Sequence, residues 1–277
     1  MTIARPAATH GYSYLSLGPA DGPFVLLLHG IPGSSHAWSR AAEPLAAAGF
    51  RVVAPDLLGF GGSDEPPGDG YMEDQARGLK RLLDGLNVEE LYIGAHDFGG
   101  PVALTLMRLY PSLRVRGLCL SATNTFTDTP IPLPLRTAGV PLLGRLVFRV
   151  MAGSRFGARM MYAQAFANKD ATSAERFERH LTPRGLARTS AIFRRSLANL
   201  ALEYANVEAQ LARVDCKALI LWGTRDPFFA VDVARRMQRS IRGAELVLLE
   251  ETGHFVPEER PERTAAEMIR TFGGAAR

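Results

Sequence analysis

Six short apolar runs punctuate the chain, at residues 24–28, 51–54, 91–95, 117–121, 218–222 and 245–249, and each is closely followed by Gly, Pro, Asp or Asn. Their length predicts strands, and the loop formers behind them mark where the strands end. The runs are nearly continuous rather than alternating, the pattern of strands covered on both faces in a mostly parallel sheet. Between them lie longer stretches with helical periodicity, such as 73–86 and 102–109, which fit crossover helices. This is the rhythm of an open α/β fold.

From about residue 126 to residue 210 the rhythm stops. The stretch opens on Pro130, Pro132, Pro134 and Pro141, which a central strand excludes. It continues as predicted helices over 142–151, 154–168 and 183–204, with Tyr204 closing the last. A helical insertion between two late strands predicts a cap over the carboxyl edge of the sheet, where open α/β folds bind ligands. The expected organisation is a core of residues 1–125 and 211–277 and a cap of residues 126–210.

Composition narrows the class. With 277 residues, 47% hydrophobic and 22% charged, the chain is neither disordered nor low-complexity. Two cysteines exclude a disulfide scaffold or a Cys-based zinc site. Cys119 and Cys216 read as small buried thiols of a reducing compartment. The first residues lack the apolar core of a secretory signal, and no run is long enough to span a membrane, so a soluble cytoplasmic protein is expected. No His, Asp and Glu set has metal-ligand spacing, and the glycines at 59, 61 and 62 lack nucleotide-loop spacing, so neither metal nor cofactor is expected. The net charge is +4, and the segment 126–210 holds 12 Lys and Arg against 6 Asp and Glu. The basic excess therefore lies in the cap. Arg155 with Arg159, and Arg176 with Arg179, fall at helical spacing, as on a solvated helix surface. A small-molecule substrate is the expected partner, nucleic acid and membrane are not, and a homodimer is left open.

Four strand ends carry the candidate chemistry. The run at 91–94 leads into Ala95-His96-Asp97-Phe98-Gly99-Gly100, a nucleophile elbow with an aspartate at its tip. Small residues at 95 and 99 suit a tight reversal from strand to helix, which is expected to begin near Pro101. His29-Gly30-Ile31-Pro32-Gly33 follows the first run. Its Ile31 N–H, with the N–H of Phe98, is a candidate oxyanion hole. Asp226 follows the fifth run and His254 the sixth. Nucleophile, acid and base thus fall in the chain order Asp97, Asp226, His254. Trp38, Trp222, His36 and His96 read as structural residues.

These features resemble the α/β-hydrolase superfamily across roughly residues 12–272, and within it the Asp-nucleophile branch of epoxide hydrolases and haloalkane dehalogenases. The matching motifs are HGIPGSSHAW at 29–38, DLLGFGGSDEP at 56–66, AHDFGG at 95–100, GTRDPF at 223–228 and GHFVPEERPE at 253–262. The resemblance implies an α/β-hydrolase fold with a mostly parallel sheet and a helical cap, working without cofactor. A fluoroacetate-type dehalogenase, which places an Arg after the nucleophile, is less similar, because Phe98 stands there.

The aspartate restricts the chemistry. A carboxylate with a pKa of about 4 is already ionised at neutral pH, so its histidine is free to activate water later. Attack on an ester would form an anhydride, whereas attack on an sp³ carbon forms an ordinary ester. The expected cycle is alkylation of Asp97, then hydrolysis of that ester by water that His254 deprotonates while Asp226 orients the imidazole. In dehalogenases a Trp after the nucleophile and often an Asn after His-Gly hold the halide. Phe98 and Ile31 occupy those positions here. In epoxide hydrolases cap tyrosines protonate the leaving alkoxide, and Tyr162 and Tyr204 are the candidates, with His180 a further one. The expected activity is epoxide hydrolysis, with carbon–halogen hydrolysis as the alternative. A non-catalytic receptor of this fold is a further alternative, disfavoured because all three catalytic positions are filled; simple ester hydrolysis ranks below, since it normally brings Ser to the elbow.

Overall fold

The computed structural model describes residues 10–129, 154–168 and 200–273, together with positions 146, 147, 150, 177, 180, 190–192, 194 and 195. Its seven strands are β1 (Tyr14–Leu17), β2 (Phe24–Leu28), β3 (Arg51–Pro55), β4 (Glu90–His96), β5 (Arg114–Ser121), β6 (Lys217–Gly223) and β7 (Glu245–Leu249). They form one sheet in the order β1-β3-β2-β4-β5-β6-β7. β1 runs antiparallel to β3 and every other pairing is parallel. All six predicted runs are strands.

The burial pattern follows position in the sheet. All five residues of central β2 are buried, as expected for a parallel strand covered on both faces. β7 departs from that expectation: it forms an edge and is mostly half-buried. One face is covered by α1 (Ser39–Ala47) and by a late helix, residues 261–272. The other is covered by α2 (Met72–Gly85), α3 (Gly99–Leu109) and the helix Val231–Ser240.

The chain crosses from β2 to β3 on one side and returns to β4 on the other, so the strand order reverses between β2 and β4. That reversal opens a crevice at the strands' carboxyl ends. The loop at 29–33 and the turn at 97–98 flank it.

Between β5 and β6 lies a long excursion, residues 122–216. Ser154 caps α4 (Arg155–Ala165), its Oγ accepting the Gly157 N–H at 3.0 Å; this helix falls within the predicted 154–168. Only positions 146, 147 and 150 of the predicted 142–151 helix are described, and all are helical. The four prolines, Arg176 and Arg179 lie outside the described residues. The last helix corrects the sequence reading. Tyr204 does not end a helix but sits inside α5 (Leu200–Leu211), which continues because Val207 and Leu211 bury themselves against the core. α6 (Val231–Ser240), α7 (Val256–Glu259) and α8 (Pro261–Phe272) complete the chain. Among the described residues no helix is long and apolar enough to cross a membrane.

Candidate active site

Asp97 occupies the turn between β4 and α3 with φ at 49°. Left-handed backbone is unfavourable for an L-residue, though Asp tolerates it better than most. The surroundings hold it there. Its N–H donates to the Ser121 carbonyl at 3.1 Å, and its carbonyl accepts the Gly100 N–H at 3.0 Å and the Thr123 hydroxyl at 2.6 Å. Two close approaches require glycine. A Cβ on Gly30 would lie 2.3 Å from the Asp97 Cβ, and one on Gly99 would lie 2.6 Å from the Leu28 carbonyl oxygen. The elbow's helix begins at Gly99, two residues before Pro101.

The structure brings Asp97, Asp226 and His254 together. The Ile31 N–H donates to Asp97 Oδ1 at 2.7 Å, and His254 Nε2 stands 3.6 Å from Asp97 Oδ2. His254 Nδ1 lies 2.9 Å from Asp226 Oδ2. Asp226 Oδ1 accepts the N–H groups of Phe228 at 2.8 Å and Phe229 at 3.1 Å. With Nδ1–H donating to Asp226, Nε2 is the nitrogen turned toward Asp97. Phe98 is the cap residue before α3, with φ at −57°.

Electrostatics couple the two groups. Burial opposes charge on His254, but Asp226 and then Asp97 outweigh it and push its pKa up to about 10. Burial alone would raise Asp97, but hydrogen bonding and charge from His254, with His96 and the Ile31 N–H, hold it below the ordinary carboxylate range. Each group favours charge on the other, imidazolium on His254 and carboxylate on Asp97.

The neighbours of the elbow hold His254 as well. His96 Nε2 lies 3.0 Å from the His254 carbonyl oxygen, so His96 donates there in its neutral form. Burial and the nearby His254 push its pKa down to about 4. The His254 N–H donates to the Ala165 carbonyl at the end of α4 at 2.7 Å, so the excursion also grips the histidine loop. The neutral state of His29 is built in too. Its Nδ1 lies 2.9 Å from the Gly30 carbonyl and its Nε2 accepts the Leu57 N–H at 2.9 Å, and burial lowers its pKa. That fixes the loop carrying Ile31.

The remaining residues of the sequence reading fall elsewhere. Trp38 and Trp222 are buried, and their indoles donate to the carbonyls of Leu28 and Phe229 at 3.0 Å each. Tyr162 is buried on α4 and its hydroxyl donates to Glu258 Oε2 at 2.6 Å. His180 Nε2 lies 3.3 Å from the same oxygen, and its Nδ1 lies 3.1 Å from Ser34 Oγ. Tyr204 packs half-buried against the main core. Sequence reasoning missed Glu258 and Thr123. Glu258 sits inside the GHFVPEERPE motif, so a buried acid so near His254 was the available signal. Among the described residues no cluster of His, Cys, Asp and Glu has the makings of a metal site.

The family profile of the alpha/beta hydrolase fold matches residues 23–261. The chain is 30% identical over 246 residues to a 2-hydroxy-6-oxononadienedioate/2-hydroxy-6-oxononatrienedioate hydrolase of Paraburkholderia xenovorans, covering 86% of this chain and 83% of that protein. Its fold is similar to that of the haloalkane dehalogenase DbeA of Bradyrhizobium elkani, with a TM-score of 0.83 at 22% identity over 98% of this chain and 97% of that one. It is also similar to that of the epoxide hydrolase CorEH, with a TM-score of 0.76 at 22% identity over 95% of each chain. With a family match spanning most of its length and an α/β sheet to go with it, the chain belongs to the α/β-hydrolase fold family and is a hydrolase of that fold.

Proposed function

We propose that this hydrolase cleaves a bond at an sp³ carbon through a covalent alkyl ester of Asp97, with an epoxide as the substrate class. The observation behind this reading is a carboxylate at the elbow, its Oδ1 on the Ile31 N–H and its Oδ2 facing a histidine backed by Asp226. In the first step Oδ2 attacks carbon, the carbon–oxygen bond of the epoxide breaks, and the alkoxide takes a proton from an acid on the cap, for which Tyr162 and Tyr204 are the candidates. In the second, water loses a proton to His254 Nε2 and attacks the ester carbon. The oxyanion forms on Oδ1, between the N–H groups of Ile31 and Phe98. Its collapse releases Oδ2 with the diol, which takes the proton from His254.

The raised pKa of His254 fits this timing. Alkylation removes the charge of Asp97, one of the two carboxylates that sustain the imidazolium. Losing that charge loosens the histidine's hold on its proton at the stage that needs a base.

An epoxide is favoured over a halide by the donors. A halide needs N–H groups around it, yet the chain has two tryptophans and both indoles already donate to backbone carbonyls. The side chains of Phe98 and Ile31 have nothing to donate. A second reading, carbon–carbon bond hydrolysis, is favoured by the 30% identity to the Paraburkholderia enzyme. Against it stands the anhydride that a carboxylate would form on a carbonyl.

Residues 126–210 are read as a cap over this site. The free thiols of Cys119 and Cys216 support a reducing, cytoplasmic setting. The decisive experiment uses His254→Ala, treated with a terminal epoxide, a haloalkane and a 2-hydroxy-6-oxo-dienoate. The expected result is an adduct on the Asp97 peptide by mass spectrometry with the epoxide, and diol formation by the wild type. Wild-type turnover of any of the three with no adduct on that peptide in the variant would overturn the covalent route.

A further inference from the structure

Four large apolar side chains stand out from the surface among the described residues: Leu146 (59% exposed), Val150 (59%), Phe156 (74%) and Met160 (48%). All four lie on the cap, in two pairs spaced by one helical turn. On α4 the inward face is separate, because Ala158, Tyr162 and Ala165 are buried, so Phe156 and Met160 point away from the core. Each of the four directly follows an arginine in the sequence: Arg145-Leu146, Arg149-Val150, Arg155-Phe156 and Arg159-Met160. Arg155 and Arg159 are themselves exposed beside Phe156 and Met160. From residue 129 to residue 169 the chain has six Lys and Arg and no Asp or Glu.

A single exposed Leu needs no explanation. Large apolar tips beside arginines, as Phe156 and Met160 stand beside Arg155 and Arg159 on α4, in a segment free of acids, have the character of an interfacial surface. We propose that this outer face of the cap docks on an anionic lipid surface, with Phe156 and Met160 entering the headgroup–acyl boundary and the arginines meeting lipid phosphates. Charge selects this occupant. A second copy of the chain docking through the same face would form an isologous contact and set the arginines against each other. A small anion would engage the arginines and leave Phe156 in water. An anionic bilayer satisfies both halves of the surface. Sequence alone suggested solvated helix surface or a basic cap that steers anionic substrates; the exposed Phe156 and Met160 beside Arg155 and Arg159 change that reading.

Docking is separable from the chemistry at Asp97. It does place the cap between bilayer and site, since the Ala165 carbonyl at the far end of α4 accepts the His254 N–H.

The test is co-sedimentation of the full chain with phosphatidylcholine vesicles, with and without about a third phosphatidylglycerol, at low salt and at about 0.5 M salt, where charges are screened within a few ångströms. Light scattering of the vesicle-free protein accompanies it. The variants are Phe156→Ser/Met160→Ser and Arg159→Gln. Their side chains are solvent-exposed, so unchanged thermal melts are expected. Wild type is expected to bind only the anionic vesicles. The double variant, and high salt, are each expected to weaken binding about tenfold or more, with a smaller loss for Arg159→Gln. Absence of binding at low salt overturns the proposal. So does full retention of binding by the double variant, which would mean charge-only adsorption. A wild-type dimer that the double variant dissolves, with vesicles ignored, would assign the face to a second copy instead.

Discussion

Two buried histidines face carboxylates in this protein. His254 meets Asp226 at 2.9 Å, and His180 meets Glu258 at 3.3 Å. In the first pair the backbone does the positioning. Both Asp226 oxygens are engaged, one by two successive N–H groups and one by the imidazole, and Nε2 is left to face Asp97. In the second pair side chains from the excursion converge on a single oxygen. Tyr162 and His180 share Glu258 Oε2, while Oε1 is buried without a partner. The first is fixed by the backbone groups of its own loop. The second is a clasp between α7 and the excursion between β5 and β6, and a half-satisfied buried carboxylate depends on its few partners staying in place. Both histidines are buried, and the pairs differ in who supplies the donors.

That contrast can be broken from either side. Asp226→Asn, which misdirects the imidazole tautomer, is expected to lower turnover by about 10⁴-fold. Steady-state kinetics on an epoxide would check it, and a loss under tenfold would remove the distinction between the pairs. The same variant should alter stability against pH. Because the folded pKa of His254 is raised from 6.5 to about 10, its contribution is fully present below 6.5 and is lost as the pH rises through about 10. Thermal melts of the wild type should fall across that window, and those of Asp226→Asn should fall less.

Glu258→Gln is expected to cost about 2 kcal/mol of stability by loss of charge-assisted hydrogen bonds, with turnover changed far less than in Asp226→Asn. Chemical denaturation beside kinetics separates the two readouts. Burial raises Glu258, but His180 and Tyr162 hold its carboxyl below the usual range. Its contribution is therefore present above ordinary carboxylate pKa values and fails as the pH falls through its lowered one. Tyr162→Phe sharpens the comparison further. As part of the clasp alone it should cost about 1 kcal/mol and leave kcat intact, whereas a kcat drop of about a hundredfold would make it the acid for the leaving group. Tyr204→Phe, on the core side of α5, should fall within about 0.5 kcal/mol unless that residue is the acid.

What the chain made legible follows from the same difference. The strands could be read because continuous apolar runs stop at loop formers. Asp97, Asp226 and His254 could be read because each follows such a run, with a glycine or proline within two residues. β1 escaped notice because it is four residues long and pairs only with β3 at the edge. The length of α5 was misjudged because its second half is held by burial of Val207 and Leu211 rather than by local signals. Glu258 was invisible as a clasp because its partners are 96 and 78 residues away along the chain. Groups placed by their own strand ends announce themselves in sequence, whereas groups placed by tertiary partners do not.

The Ile31 hydrogen bond has a consequence for the fate of individual atoms. It makes the two oxygens of Asp97 inequivalent, holding Oδ1 and leaving Oδ2 exposed to His254. By the proposed route only Oδ2 departs with product, and solvent replaces it. Unless the carboxylate turns over between cycles, Oδ1 survives every turnover. Enzyme cycled through many turnovers in heavy-oxygen water would then carry one labelled oxygen on Asp97 rather than two. The isotopic pattern of that one residue would record whether the Ile31 loop ever lets go.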